Sequence, residues 1–326
     1  MTSLINSAPS EEKYCLFCGA GFSKWAIDLP TAYELFDFKI RTYGSREASR
    51  LKKIQDLKFE WDKKNPSNNA EEFIGNLIDH SVASKKLVIW YIARRLAEPF
   101  IDKISFASYP EVRGRRVLGI DDRKKAKIAG IKKAEIFFNN LPWRNFTGII
   151  TTNYDLLIEY ALGTKNFFYG DRPRLLHGPP RAYTTAAKQR YPVYLIGTLP
   201  LIKLHGSISL TEKGYCADGR GCITGKAIIV PPAHNKMISD VLIQEWAYAR
   251  KILKNSEKII FFGFRFNDYD QELIELFKET ESWIKKIILI NTNPEVKSLA
   301  KKIWPTAEIV WIQPTKSFEK KLNSII

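Results

Sequence analysis

Tyr14-Cys15-Leu16-Phe17-Cys18-Gly19-Ala20-Gly21-Phe22-Ser23 is a short apolar run that stops at a Gly-Ala-Gly turn. Five apolar residues bounded by glycine have the length and composition of a strand buried on both faces. Glycines at the carboxyl end of such a strand let the backbone approach a phosphate and leave amides pointing at it, so Gly19, Ala20, Gly21 and Ser23 are candidate anion contacts. A tight strand-to-helix turn with no ligand accounts for a lone Gly-Ala-Gly equally well, and no third glycine completes the dinucleotide fingerprint of dehydrogenases.

Five more β-branched or aromatic runs share this form: Gly148–Thr151, Leu201–Leu204, Lys258–Phe262, Lys286–Ile290 and Glu308–Ile312. Helical patterns over Thr31–Ile40, Tyr154–Leu162, Ser239–Leu253 and Asp270–Ser282 lie between several of them. That alternation predicts an α/β fold, a Rossmann-like parallel sheet with helices on both faces. The charged segment 45–140 repeats apolar residues at helical spacing around Phe73, Leu77 and Ile78 and again around Trp90, Ile92 and Leu96. It reads as a helical insertion lobe, with 1–44 and 141–326 forming the sheet domain. The Pro- and Gly-containing stretch Asn166–Tyr191 reads as a long surface loop.

Each predicted strand ends in polar residues, and ligands of open α/β sheets bind beyond the carboxyl ends of strands. The second run ends in Thr151-Thr152-Asn153-Tyr154-Asp155, where Asn153 and Asp155 suit either a site or a helix cap. The third ends in His205-Gly206-Ser207, where the imidazole is a structural hydrogen-bonding group or an acid–base residue. The fourth leads into Gly263-Phe264-Arg265-Phe266-Asn267-Asp268 and the fifth into Asn291-Thr292-Asn293-Pro294.

Taken in order, GAGFS, TTNYD, KLHGS, GFRFND and INTNP resemble the motif set of the sirtuin-like NAD-binding family, most closely its bacterial antiviral-defence branch. The resemblance spans Cys15 to about Asn293. It implies that NAD is bound as substrate across the strand ends. It further implies that Ala20, Gly21 and Ser23 contact the diphosphate, that Asn153 sits beside the nicotinamide ribose and that Asp155 orients the carboxamide. His205 matches the catalytic histidine, while Gly263 and Asn291 match positions near the phosphate and the adenosine ribose. Pro30 belongs to the loop that closes over nicotinamide, although Asp28-Leu29-Pro30 lacks the family's Pro-Asp-Phe-Arg run and Arg265 stands where sirtuins have Ser. The implied activity is NAD glycohydrolysis to nicotinamide and ADP-ribose. The alternatives are a deacylase, an ADP-ribosyltransferase and a non-catalytic nucleic-acid- or partner-binding subunit.

Cysteines bear on that choice. Protein-deacylating sirtuins carry two CxxC pairs around a structural zinc, whereas this chain has four cysteines in all, with Cys216 and Cys222 spaced C-x5-C and Cys15 and Cys18 on the first strand. No zinc or other metal is expected. At 326 residues with 45% hydrophobic content the chain suffices for a large domain and a smaller one. No secretory leader and no apolar run of spanning length is readable, so a cytoplasmic protein off the membrane is expected.

The net charge is +16, and nine basic residues against two acidic ones fall between Arg113 and Lys133, without any base-reading motif. An unrestrained NAD hydrolase would drain its own cell, and no sensor region is apparent. Control by a HerA-type ATPase or another nucleic-acid-handling partner is therefore expected, with a self-contained homo-oligomer as the alternative.

Overall fold

Strand β1 (Tyr14–Cys18) is buried at every position. Its side chains divide by twos between separate apolar cores: Tyr14, Leu16 and Cys18 enter one, Cys15 and Phe17 the other, as the two-residue period of an extended chain requires. The computed structural model describes residues 12–42, 44–66, 69–100, 128–163, 167–170, 199–211, 214–215, 227–232, 240–267 and 270–326. After β1 come β2 (Phe146–Thr151), β3 (Phe167–Tyr169), β4 (Leu199–Lys203), the short strands β5 (Gly206–Ser207), β6 (Leu210–Thr211), β7 (Gly214–Tyr215) and β8 (Ile228–Ile229), then β9 (Lys258–Phe262), β10 (Lys286–Ile290) and β11 (Glu308–Ile312). Seven of these form one sheet in the order β3-β4-β2-β1-β9-β10-β11, every neighbouring pair parallel.

The helices are α1 (Ala20–Ile27), α2 (Ser45–Lys64), α3 (Ala70–His80), α4 (Val82–Ala97), α5 (Ile131–Asn139), α6 (Leu157–Leu162), α7 (Ile243–Lys254), α8 (Gln271–Lys278), α9 (Val296–Ile303) and α10 (Phe318–Asn323). The first core takes its buried side chains from α1, α5, α6 and α10, the second from α7, α8 and α9. Ile54, Phe73, Ile74, Trp90 and Tyr91 of α2–α4 belong to the first core as well, so that helical group is continuous with the sheet's apolar face. From β1 the chain passes first to β2 on one side and later to β9 on the other. Connections leaving adjacent strands in opposite directions open a crevice at their carboxyl ends.

Two expectations need correction. Phe167–Tyr169, read as loop, is an edge strand pairing with β4, and three residues are too few to show a period. The predicted helix from Thr31 to Ile40 is a 3-10 turn over Ala32–Asp37, opened by a Thr31–Glu34 capping box and ended by Phe38 at φ 54. Tertiary contacts override the helical pattern here: Phe36 stacks on Tyr91 with ring centroids 5.3 Å apart, and the Tyr91 hydroxyl donates to the Leu35 carbonyl at 2.7 Å. The Arg113–Lys127 part of the basic cluster and Arg172–Tyr191 lie outside the described residues.

Arg95 on α4 completes the anchor, its Nε and one terminal nitrogen reaching the two Asp37 carboxylate oxygens at 2.7 and 2.6 Å. Partial burial by itself raises the Asp37 carboxyl, but the hydrogen bonds and charge of Arg95 outweigh it and hold the group below the usual carboxylate range. Asp37→Asn is expected to lower stability by about 1 kcal/mol at neutral pH, a value kept modest by solvent at this partly exposed pair. A carboxyl held below its unfolded value of about 4 stabilises the fold above that value and loses the contribution as pH falls through the folded one. The difference between variant and unaltered protein should therefore close toward acid. Urea midpoints at neutral pH and near pH 3 measure it, and a constant difference would contradict the pairing.

Candidate active site

The strand ends are laced together by backbone. The Gly19 amide donates to Phe262 at 2.9 Å, Gly21 to Gly263 at 2.8 Å, Gly263 to Ile290 at 2.8 Å and Asn291 to Ile312 at 3.1 Å. A Cβ on Gly21 would stand 2.7 Å from the Gly263 Cα, and one on Gly263, which sits at φ 62, would stand 2.3 Å from the Gly21 carbonyl carbon. The loops after β1 and β9 thus touch main chain to main chain, which only glycine on both sides permits. The Gly21 amide is committed to Gly263, so the close packing of the two loops requires these glycines whatever else the turn contacts.

From the end of β2, Thr151 hydroxyl donates to the Cys18 carbonyl at 2.7 Å and accepts the Asn153 amide at 3.0 Å, turning the chain toward β1. Asn153 Nδ2 then donates to the Gly19 carbonyl at 2.9 Å and to Ser23 Oγ at 3.0 Å. Ser23 in turn donates to Asp155 Oδ2 at 2.7 Å, while Asp155 Oδ1 accepts the Leu157 amide at 2.8 Å. Asp155, which precedes the N-cap Leu156 of α6, therefore braces the entry to that helix through the Leu157 amide and stands in the same hydrogen-bonded unit as Asn153. Ser23, Asn153 and Asp155 are 2%, 6% and 5% exposed, so the unit is shielded from solvent and its hydrogen bonds are correspondingly rigid.

Beneath it lies a charge layer with no counterpart in the sequence reading. Lys203, the last residue of β4, is fully buried; its ammonium donates to the Asp155 carbonyl and pairs with Glu159 of α6 at 2.8 Å. Tyr169 of β3 donates to the same Glu159 oxygen at 2.9 Å. A lysine inside an apolar strand was the available signal, since a buried ammonium requires a partner.

His205 follows β4 two residues later and is 6% exposed. Its Nε2 lies 3.8 Å from Asp270 Oδ1, and its ring centroid is 6.4 Å from that of Tyr154. Burial first, then the charges of Asp270 and Glu71, push the Tyr154 phenol well above its usual range, so it stays protonated and donates to the Val230 carbonyl at 2.5 Å. Glu71, near the start of α3, accepts from Asn267 Nδ2 at 3.3 and 3.4 Å and so ties α3 to the loop after β9.

One cleft of about 530 Å³ unites these groups, within the span usual for small-molecule sites. Ala20, Gly21, Ser23, Pro30, Asn153, Asp155, His205, Gly263 and Asn291 line it; Gly19 sits behind them, its carbonyl held by Asn153. Asn291 Nδ2 donates to the Phe264 carbonyl at 2.8 Å and its Oδ1 accepts the Asn293 amide at 3.0 Å, so it also shapes the turn that carries it. Glu71, Tyr154 and Asp270 also stand in its wall and were missed, because each reads in sequence as an ordinary helix-start or loop residue.

A parallel sheet with a polar cleft at its crossover point, lined from the ends of β1, β2, β4, β9 and β10, defines a Rossmann-like α/β protein with a small-molecule site. A SIR2-like domain model matches residues 147–312, a little over half of the chain, and the protein belongs to that sirtuin-like, NAD-binding family. No curated protein matches it. Solved structures that resemble it include a Sir2 enzyme studied for mechanism and regulation, at 13% identity over 97% of this chain and 90% of that one, TM-score 0.41. Others are Sir2Tm bound to a propionylated peptide (12%, 96% and 92%, TM-score 0.40) and a sirtuin studied for substrate affinity (12%, 95% and 92%, TM-score 0.43).

Proposed function

We propose that the protein cleaves NAD+ to nicotinamide and ADP-ribose, with water as the acceptor. The observation that carries this reading is the single buried unit of Asn153, Ser23 and Asp155 opening on the same cleft as His205. Positive charge develops on the ribose as its bond to nicotinamide breaks, so the reaction calls for positioned dipoles and a held water more than for a strong nucleophile. Asn153 spends its NH2 on Gly19 and Ser23, which leaves Oδ1 as the end that can hold that water. The water oxygen bonds to the ribose carbon, the electron pair of the broken bond returns to the pyridinium ring, and the water proton passes through His205 to solvent.

Water is favoured over an acyl-lysine by the cysteine inventory. Cys15 and Cys18 are buried thiols inside β1, pushed up by desolvation, and cannot serve a surface zinc module. Only Cys216 and Cys222, outside the described residues, remain of the four, which argues against the four-thiolate site of deacylating sirtuins. Elemental analysis is expected to find no stoichiometric zinc, whereas one tightly held zinc per chain would revive the deacylase reading.

We place the activity in NAD depletion during bacterial antiviral defence, controlled by assembly with a HerA-type ATPase or other nucleic-acid-handling partner. The +16 charge supports this, because such a field speeds encounter with an acidic surface. Incubation with NAD+, alone and with an acyl-lysine peptide, with the partner present in parallel, tests the reaction. Nicotinamide and ADP-ribose released without peptide are expected; release that requires the peptide would assign the chain to the deacylases.

A further inference from the structure

Asp270 immediately precedes α8, where an aspartate ordinarily accepts an amide of the first helical turn. Its carboxylate makes no such cap. Instead, Asp270 Oδ1 lies 3.8 Å from His205 Nε2, with both residues buried, at 9% and 6% exposure. The carboxylate thus stands beside the imidazole, where it can act on the ring, and not on an amide of its own helix.

We propose that Asp270 is the positioning residue of His205: it orients the ring and balances the charge the ring acquires on taking a proton. The proposal rests on the reading of His205 as the proton acceptor in NAD+ cleavage. The separation of 3.8 Å is too long for a hydrogen bond and short enough for an ion pair once the imidazole is protonated, and such contacts tighten when substrate closes the site. The other titratable groups facing this corner fit the same role. Tyr154, from the loop after β2, stays neutral and is engaged by Val230, while Glu71, from α3, adds a second carboxylate whose charge is felt at Tyr154. His205 therefore has a carboxylate beside it from Asp270, and Glu71 adds negative charge next to Tyr154 in the same cleft. These charges favour the protonated ring once the water proton has moved to it, and they also suit the positive charge that develops on the ribose.

The discriminating variant is Asp270→Asn, because asparagine keeps the size and hydrogen-bonding capacity of the side chain and removes its charge. Two readouts are needed. The imidazole resonances, with His205 assigned by comparison with His205→Gln, are followed by NMR against pH. The His205 transition is expected to move to lower pH in Asp270→Asn, since removing a neighbouring negative charge disfavours the cation. In steady-state assays of NAD+ cleavage, kcat is expected to fall about 100-fold with KM changed little, at the low end of what a positioned acid–base group contributes. The acid limb of the kcat/KM profile should shift toward lower pH in step with the NMR transition, and Asp270→Glu should restore part of kcat.

An unchanged His205 transition overturns the pairing whether or not the protein turns over NAD+. A shifted transition with unaltered kcat overturns the use of that pairing in the reaction. Absence of nicotinamide release from the unaltered protein would instead count against the hydrolase reading, and the titration alone would then judge the contact between Asp270 and His205.

Discussion

Asn153→Ala and His205→Ala are each expected to reduce nicotinamide release about 100- to 1,000-fold, the loss typical when one preorganised polar group is removed from a reaction centre. The two should fail differently. Asn153 carries structure as well as chemistry, because its NH2 satisfies the Gly19 carbonyl and Ser23 Oγ in a buried setting. Its loss leaves those acceptors short of a donor, at a cost of about 1 to 3 kcal/mol. A domain of ordinary stability, about 5 to 15 kcal/mol, remains folded after that. His205→Ala removes the proton acceptor and leaves the Asn153 unit untouched, so its loss should fall almost wholly on kcat. Chromatographic measurement of nicotinamide, with circular dichroism to verify folding, decides the matter. Release at the unaltered rate by both variants would remove the basis for the proposed reaction.

Gly263→Ala is expected to lower stability by about 2 to 5 kcal/mol. Two effects add. The residue sits at φ 62, where a side chain costs about 1 to 2 kcal/mol. Its Cβ would also stand 2.3 Å from main-chain atoms of Gly21 and Phe22, which cannot swing aside as a flexible side chain would. Overpacking of that kind adds about 1 to 3 kcal/mol. A denaturation midpoint within error of the unaltered protein would show that the loops after β1 and β9 do not meet as closely as described. Partial relief by a compensating change at Gly21 is not expected, since that position has no side chain to shrink.

Sequence was most informative where a strand is buried on both faces and the chain therefore reads as an unbroken apolar run. Lys258–Phe262 and Lys286–Ile290 are such strands, with the bounds read from the sequence, and the partly buried edge strand Glu308–Ile312 kept its bounds as well. Where polar, glycine or proline residues interrupt the run the bounds slipped, as at Thr147 and Gly148 of β2 and Pro200 of β4. Residues that follow strands were legible as site candidates for a simple reason: parallel strands deliver their carboxyl ends to one edge, so chain order alone brings Ser23, Asn153, His205 and Gly263 together.

Glu71 and Asp270 were not legible for the converse reason. Glu71 looks like an acid favoured in the first turn of any helix, and only the tertiary packing of α3 brings it to Asn267. Asp270 looks like a cap, and no local pattern announces that its carboxylate is turned elsewhere. Lys203 is the intermediate case: its place in an apolar strand signals a buried partner without saying that the partner is Glu159 on the next layer.

The two thiols of β1 supply the molecule with a built-in gauge. Cys15 and Cys18 are fully buried on the central strand, one facing each core, and both are kept in the unreactive protonated form by desolvation. A thiol reagent can reach either of them only when the middle of the sheet comes apart. Their rate of labelling therefore times the opening of the innermost strand rather than the fraying of loops or of α2–α4. A small molecule held across the ends of β1, β2 and β9 must slow that opening by mass action. Protection of Cys15 and Cys18 would then register occupancy of the cleft without any turnover, including in variants in which the reaction has been abolished.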